Sequence, residues 1–172
     1  MSDTPPVVDV KWLARQQPGA VRIVDLRWAL TGPSGLDKYR TGHIPGAVYV
    51  DMERDLSRPG GPGRHPFPAP AEFARVLARI GVGPETHVVV YDDSTGSVAA
   101  RLWFMLRVHG HTSASVLDGG YAAWVNAGLP VTRDEPRIDP APLRTLHVDA
   151  SRLVDRAHVA EVLAGRHEAG AQ

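Results

Sequence analysis

Residues 88–109 read VVVYDDSTGSVAARLWFMLRVH, and the reading of this stretch decides the fold. Val88, Val89, Val90 and Tyr91 form a short apolar run rich in β-branched residues, as in a strand covered on both faces. Residues 92–96, DDSTG, are too polar for a core and read as a tight turn. Ser97 is placed to cap the helix that follows. Val98, Ala99, Leu102, Trp103, Met105 and Leu106 are apolar on more than one side of that helix, which predicts a largely buried element. Ligands of α/β sheets gather at the carboxyl ends of strands, and backbone N–H groups at a helix N-terminus favour an anion there. A strand, turn and helix of this build make a cradle for a negative atom.

Outward from this unit the chain alternates strands and helices. Upstream, residues 10–16 (VKWLARQ) predict a short helix stopped by Pro18-Gly19, and residues 21–26 predict a strand ending in Asp25-Leu26-Arg27. Residues 32–35 read as a loop. Residues 42–47 (GHIPGA) form a turn rich in conformational specialists, which feeds a strand at 48–50. Residues 56–70 carry five prolines and predict an irregular excursion, either a functional flap or a plain surface loop. Phe73, Val76, Leu77 and Ile80 have helical spacing over 71–80. Downstream, 113–117 predicts a strand, Asp118-Gly119-Gly120 a turn, 121–126 a short helix and 129–132 the close of the domain. Short connections and strand–helix alternation predict an α/β fold: an open, mostly parallel sheet with helices on both faces.

Composition narrows the function. Lys+Arg and Asp+Glu each number 19, so no net field draws the chain to nucleic acid or an anionic membrane. No apolar run is long enough to span a bilayer, and residues 1–10 lack the pattern of a signal peptide. A cytoplasmic protein, with no nucleic-acid or membrane partner, is the expectation. The chain has no cysteine, which excludes disulfides, thiolate metal sites and a cysteine nucleophile.

Residues 133–145 (RDEPRIDPAPLRT) are proline-rich and charged and read as a linker. Beyond them Val148-Asp149 with Leu153 repeats the Val8-Asp9 and Leu13 pattern near the start. The expected organisation is a domain at 1–132, a linker at 133–146 and, at 147–172, the start of a second copy of the same domain. Its amphipathic segment, 148–164, would be left partly exposed, which predicts dimerisation or poor solubility.

Five motifs occur in order: Asp25-Leu26-Arg27; Gly42-His43-Ile44-Pro45-Gly46-Ala47; the Val-Val-Val-Tyr strand with its glycine-containing turn; Leu117-Asp118-Gly119-Gly120-Tyr121 with Trp124; and Gly128-Leu129-Pro130-Val131. Over about residues 7–132 they resemble the rhodanese family. More specifically, they resemble the N-terminal half of tandem-domain sulfurtransferases of the thiosulfate or 3-mercaptopyruvate type. The resemblance implies a rhodanese-like sheet and no cofactor. It also implies that the catalytic work belongs to a cysteine in a second domain, whose thiolate sits in an N–H cradle and carries sulfur as a persulfide. Aligned on Gly96, the nucleophile position falls on Asp93, a hard oxygen nucleophile that cannot form a persulfide. Asp93 would then accept hydrogen bonds from the amides of Thr95–Val98 and close the anion loop formed by Asp93, Ser94, Thr95, Gly96, Ser97 and Val98. No catalytic residue is expected in this chain, and its partner is either a catalytic rhodanese domain or a second copy.

Two other function classes compete. One is a regulatory module that binds an anion or a partner at the loop around Asp93–Gly96. The other is a phosphohydrolase with Asp93 as nucleophile, although Ser94 and Thr95 follow without the second Asp such enzymes use. Asp25 and Arg27 either line a cleft or form a buried ion pair. His43 either meets a substrate or holds its turn through the ring. His109-Gly110-His111 lacks a third metal ligand, so no metal is expected. Arg101 and Arg107 read as cations reaching solvent from an apolar helix. The four tryptophans read as dispersed core residues.

Overall fold

The computed structural model describes residues 5–60 and 63–165. Residues 1–4, 61–62 and 166–172 lie outside the described residues, and with them fall most of the predicted lead, two positions of the proline-rich excursion and the end of the second repeat. The sheet has five strands, all parallel, in the order β1-β5-β4-β2-β3. The strands are β1 (Val7–Val8), β2 (Val21–Asp25), β3 (Val48–Tyr49), β4 (His87–Tyr91) and β5 (Ala114–Leu117). The helices α1 (Val10–Ala14), α2 (Gly35–Thr41), α3 (Pro70–Arg79), α4 (Ser97–Val108) and α5 (Gly120–Asn126) make up the connections.

β4 is central and paired on both sides, and its alternation builds two cores. Val88 and Val90 pack with Phe73 and Leu77 of α3 and Leu102, Met105 and Leu106 of α4. Val89 and Tyr91 face the other way, toward Leu13 of α1 and Trp124 of α5. Period-2 side chains on a strand buried from both sides require this continuous apolar run. The fold is the expected α/β class, with the sheet wholly parallel.

Several local readings change. Residues 7–8 form an edge strand on β5, a two-residue pairing too short to leave a periodic signal. The loop at 32–35 ends at Ser34, which caps α2 in a capping box with Asp37. Gly35 opens that helix because a Cβ there would lie 1.8 Å from the Arg27 carbonyl oxygen. The cap residue of α4 is Gly96, left-handed at φ 83°, rather than Ser97, which is the first helical residue. Arg101 does not reach for solvent. Its Nη2 donates to the carbonyls of Leu56 and His65, so it pins the proline-rich excursion to α4.

The segment read as a linker is a docked strap. Thr132 and His43 exchange backbone hydrogen bonds, Ile138 packs against the core, and Leu146 is buried in it. These two apolar residues join the core, and the Ala141 amide donates to the Ala78 carbonyl of α3, so the strap is held by burial and by backbone bonds together. From residue 147 to 165 every residue is exposed. This part holds one 3₁₀ turn, Ala150–Arg152, and α6 (Arg156–Leu163). No helix among the described residues is long and apolar enough to cross a membrane.

Candidate functional site: the loop between β4 and α4

The turn after β4 closes around one carboxylate. Asp92 Oδ1 accepts the amides of Ser94 at 2.9 Å and Gly96 at 3.1 Å, and Oδ2 accepts those of Val98 at 3.0 Å and Ala99 at 2.9 Å. The side chain is buried, and it satisfies the α4 N-terminus from inside the loop. The expectation that Asp93 fills the cradle is corrected: Asp92 does. Asp93 turns outward, 2.7 Å from Lys38 Nζ of α2, in a partly exposed pair. Alignment on Gly96 puts the nucleophile position at Asp93, while the carboxylate that takes the loop amides is its neighbour Asp92. The signal that identifies Asp92 is an Asx turn, in which an Asp accepts the amide two residues on. Of the remaining loop residues, Ser94, Gly96 and Val98 give their amides to Asp92, while Thr95 and Ser97 meet through their hydroxyls at 3.4 Å.

The backbone of Asp92 is equally engaged. Its carbonyl accepts the Tyr121 amide at 2.8 Å, and a Cβ on Gly120 would lie 2.3 Å from that oxygen. Gly119 and Gly120 both have positive φ. The paired glycines of the Asp118-Gly119-Gly120 turn are therefore the condition for α5 to start against the loop.

Beneath the loop lies a second polar centre. Asp25, fully buried, accepts Arg27 Nη2 at 2.7 Å and the Tyr91 hydroxyl at 2.7 Å on the same oxygen, and the Arg27 amide on the other. Arg27 Nη2 also donates to the Gly42 carbonyl at 2.7 Å, and the guanidinium lies 4.1 Å from the centre of the Tyr121 ring. The Ile44 amide donates to the Tyr91 hydroxyl at 3.3 Å. Burial, with the Asp25 charge adding to it, holds the Tyr91 phenol well above its ordinary range and so keeps it a donor. The residues that sequence left between cleft and ion pair form a buried ion pair, which ties four of the sequence motifs together. Tyr91 and Tyr121 belong to this centre and are not distinguishable in sequence from ordinary core aromatics.

His43 is fully buried, stacked on Tyr39 at 3.8 Å. Its Nδ1 lies 2.9 Å from the Tyr39 carbonyl and its Nε2 3.2 Å from that of Asp134. It joins the turn to the strap. His109 and His111 do not converge: His109 Nδ1 meets the Met105 carbonyl and His111 Nε2 that of Thr86. Among the described residues no group of three His, Asp or Glu could hold a metal ion.

A parallel sheet whose central strand delivers a loop of convergent amides, braced by a buried Asp-Arg-Tyr centre, defines an α/β domain built around an anion cradle. Residues 9–127 match the rhodanese-like domain family, and the chain belongs to it. It is 45% identical over 140 residues to a probable 3-mercaptopyruvate sulfurtransferase of Pseudomonas aeruginosa, covering 78% of this chain and 49% of that protein. It is 38% identical over 168 residues to a thiosulfate sulfurtransferase of Cricetulus griseus, covering 91% of this chain and 55% of that one. Among solved structures, SseA from Escherichia coli, described as a 3-mercaptopyruvate sulfotransferase, superposes with a TM-score of 0.81 at 32% identity, over 98% of this chain and 64% of that one. The chain spans about half the length of the curated relatives it matches.

Proposed function

We propose that this is a rhodanese domain of the sulfurtransferase lineage that carries no sulfur itself and works beside a second, cysteine-bearing rhodanese unit. The observation that carries the reading is the Asp92 carboxylate, which occupies the cradle with four amide hydrogen bonds. Persulfide chemistry needs a thiolate in this loop, where the nucleophile position falls on Asp93, and the chain has no cysteine. The domain's part in a tandem enzyme is then structural: it supplies a rigid wall and a docking face. The exposed apolar residues Val154, Val159, Val162 and Leu163 fit such a neighbour.

The test is thiocyanate formation by the purified, tag-free chain, with thiosulfate and then 3-mercaptopyruvate as donor. No product above the cyanide-only background is expected. Turnover from either donor would overturn the proposal.

A second reading, a regulatory module, is favoured by one observation. A cavity of about 490 Å³ lies beside the loop, lined by Ser94, Thr95, Gly96, Trp103 and Asp118. On this reading the loop positions a bound partner group while Asp92 keeps it shut to free anions. Calorimetry separates the readings: sulfate should bind only after Asp92 is replaced by Ser, and binding to the unaltered chain would put an anion-binding role first.

A further inference from the structure

The face of the sheet that carries α3 and α4 is wider than these two helices. Strands about 4.8 Å apart make a five-stranded sheet about 24 Å wide, and two helices about 10 Å across cover about 20 Å of it. α4 stands over β4 and β5, so the shortfall lies at the β1 edge. Val7 of β1 is in register with Val116 of β5, whose side chain packs among the core residues of α3 and α4. Residues in register share a face, so Val7 points to the α4 side, and there it is 53% exposed. A groove of about 490 Å³ runs between this edge and α4. Val7, Val116, Ala100 and Trp103 wall it, and Thr95 and Asp118 lie at the end beside the loop. The Trp103 indole donates to the Ala114 carbonyl at 3.0 Å, which ties the ring to β5.

The chain also carries a helix with an apolar stripe and nothing beneath it. On α6, Val159, Val162 and Leu163 stand at i, i+3 and i+4 and so share one side. All three are exposed, Leu163 by 83%. Arg156 flanks the stripe, three residues before Val159. The tail leaves the domain beside α4, because the Asp149 amide donates to the Val108 carbonyl at the end of that helix. No residue from 147 to 165 is buried, so α6 does not fill its own groove. Asp118 at one end of the groove and Arg156 in the first turn of α6 are both exposed, and neither has an ion pair among the described residues.

We propose that the groove between α4 and the β1 edge receives α6 of a second copy of this chain. Val159, Val162 and Leu163 lie against Val7, Val116, Ala100 and Trp103, with Arg156 toward Asp118. An amphipathic helix in an apolar groove is a recurring mode of recognition, and the opposite charges set its direction. Each copy offers both parts, so the exchange closes as a two-fold dimer. The proposal stands apart from the missing persulfide step, and the thiocyanate assay has no bearing on it.

The absence of cysteine makes the test direct, because a nitroxide attached to Glu161→Cys, off the apolar stripe, labels one site only. Spin-labelled chain is mixed with isotope-labelled unaltered chain, so that line broadening reports contact between copies. It should centre on the amides of Val7, Ala100 and Trp103 and grow with concentration. An isotope-labelled chain that itself bears the nitroxide, diluted until monomeric, should show no broadening at those amides. Sedimentation equilibrium should give a dimer that Leu163→Asp weakens by at least about tenfold. Asp118→Arg and Arg156→Asp should each weaken it by about threefold, and the two together should restore it. The proposal is overturned by a monomer at every concentration, or by broadening centred on another surface. It is equally overturned by broadening within the dilute single chain, which would mean that α6 folds back on its own groove, or by a charge exchange that does not restore the dimer.

Discussion

The carboxylate of Asp92 accepts the amide of Ala99 at 2.9 Å, across seven residues and around the whole turn between β4 and α4. One side chain thereby fixes the shape of the loop and fills the space that a bound anion would take. Replacing Asp92 by Ala leaves the buried amides without an acceptor, at a cost of about 1–3 kcal/mol. Urea unfolding should show that loss. Calorimetry on the same variant should show sulfate bound in the vacated cradle, and neither effect should follow Asp93→Ala.

The buried pair of Asp25 and Arg27 responds differently to single and double changes. Arg27→Met strands a fully buried carboxylate and should cost about 3–5 kcal/mol in equilibrium unfolding. Adding Asp25→Asn to that variant should recover part of the loss, because the neutral amide no longer needs a counter-charge.

Gly120 is where α5 meets the loop. A Cβ there clashes with the Asp92 carbonyl, and φ is +55°. Gly120→Ala should destabilise by roughly 1–3 kcal/mol and shift the amide resonances of residues 92–99. Gly110→Ala, at similar positive φ but with no atom within 4 Å, should leave those resonances in place.

Acid should loosen the strap. His111, buried and with Nδ1 3.2 Å from Arg144 Nη2, has its pKa lowered from 6.5, first by burial and then by the Arg144 charge. His87 is lowered by burial alone. Unfolded histidines take protons near pH 6.5 while the folded ones stay neutral. Stability is therefore full above that pH and declines below it. Thermal midpoints measured downward from neutral pH should fall, and His111→Gln should flatten the slope.

The segment after the strap should gain order only by contact. An eight-residue helix such as α6 is too short to persist in water alone, and no residue of it is buried. Its amides should exchange at nearly unprotected rates in dilute solution. Light scattering at rising concentration should show self-association that is lost when residues 150–172 are removed. A monodisperse monomer at high concentration would refute that.

The central strand could be read directly because its pattern is local: four apolar residues, a polar turn and an apolar helix admit one arrangement. The parallel sheet, the two-sided core and the family motifs follow from the same kind of signal. Three features were not legible. Which of two adjacent aspartates enters the cradle depends on the path of the loop, and a one-residue difference in that path exchanges Asp92 for Asp93. The helix α2 follows a loop whose end is set by close approach to the Arg27 carbonyl, a contact that composition does not reveal. The strap is held by Ile138 and Leu146 in the core and by bonds from His43, Ala78 and His111, in a segment whose composition otherwise suits a solvated linker.

Sequence by itself determined the fold class, the order of the motifs and the absence of any thiolate, because periodicity and composition are carried by neighbouring residues. Only the tertiary structure decided that Asp92 is the carboxylate in the cradle and that Asp25, Arg27 and Tyr91 form one buried centre. The first depends on the path of the loop from Asp92 to Ala99 and the second on Tyr91 meeting a pair 66 residues away in the chain; burial, by removing water as the alternative partner, makes their placement consequential.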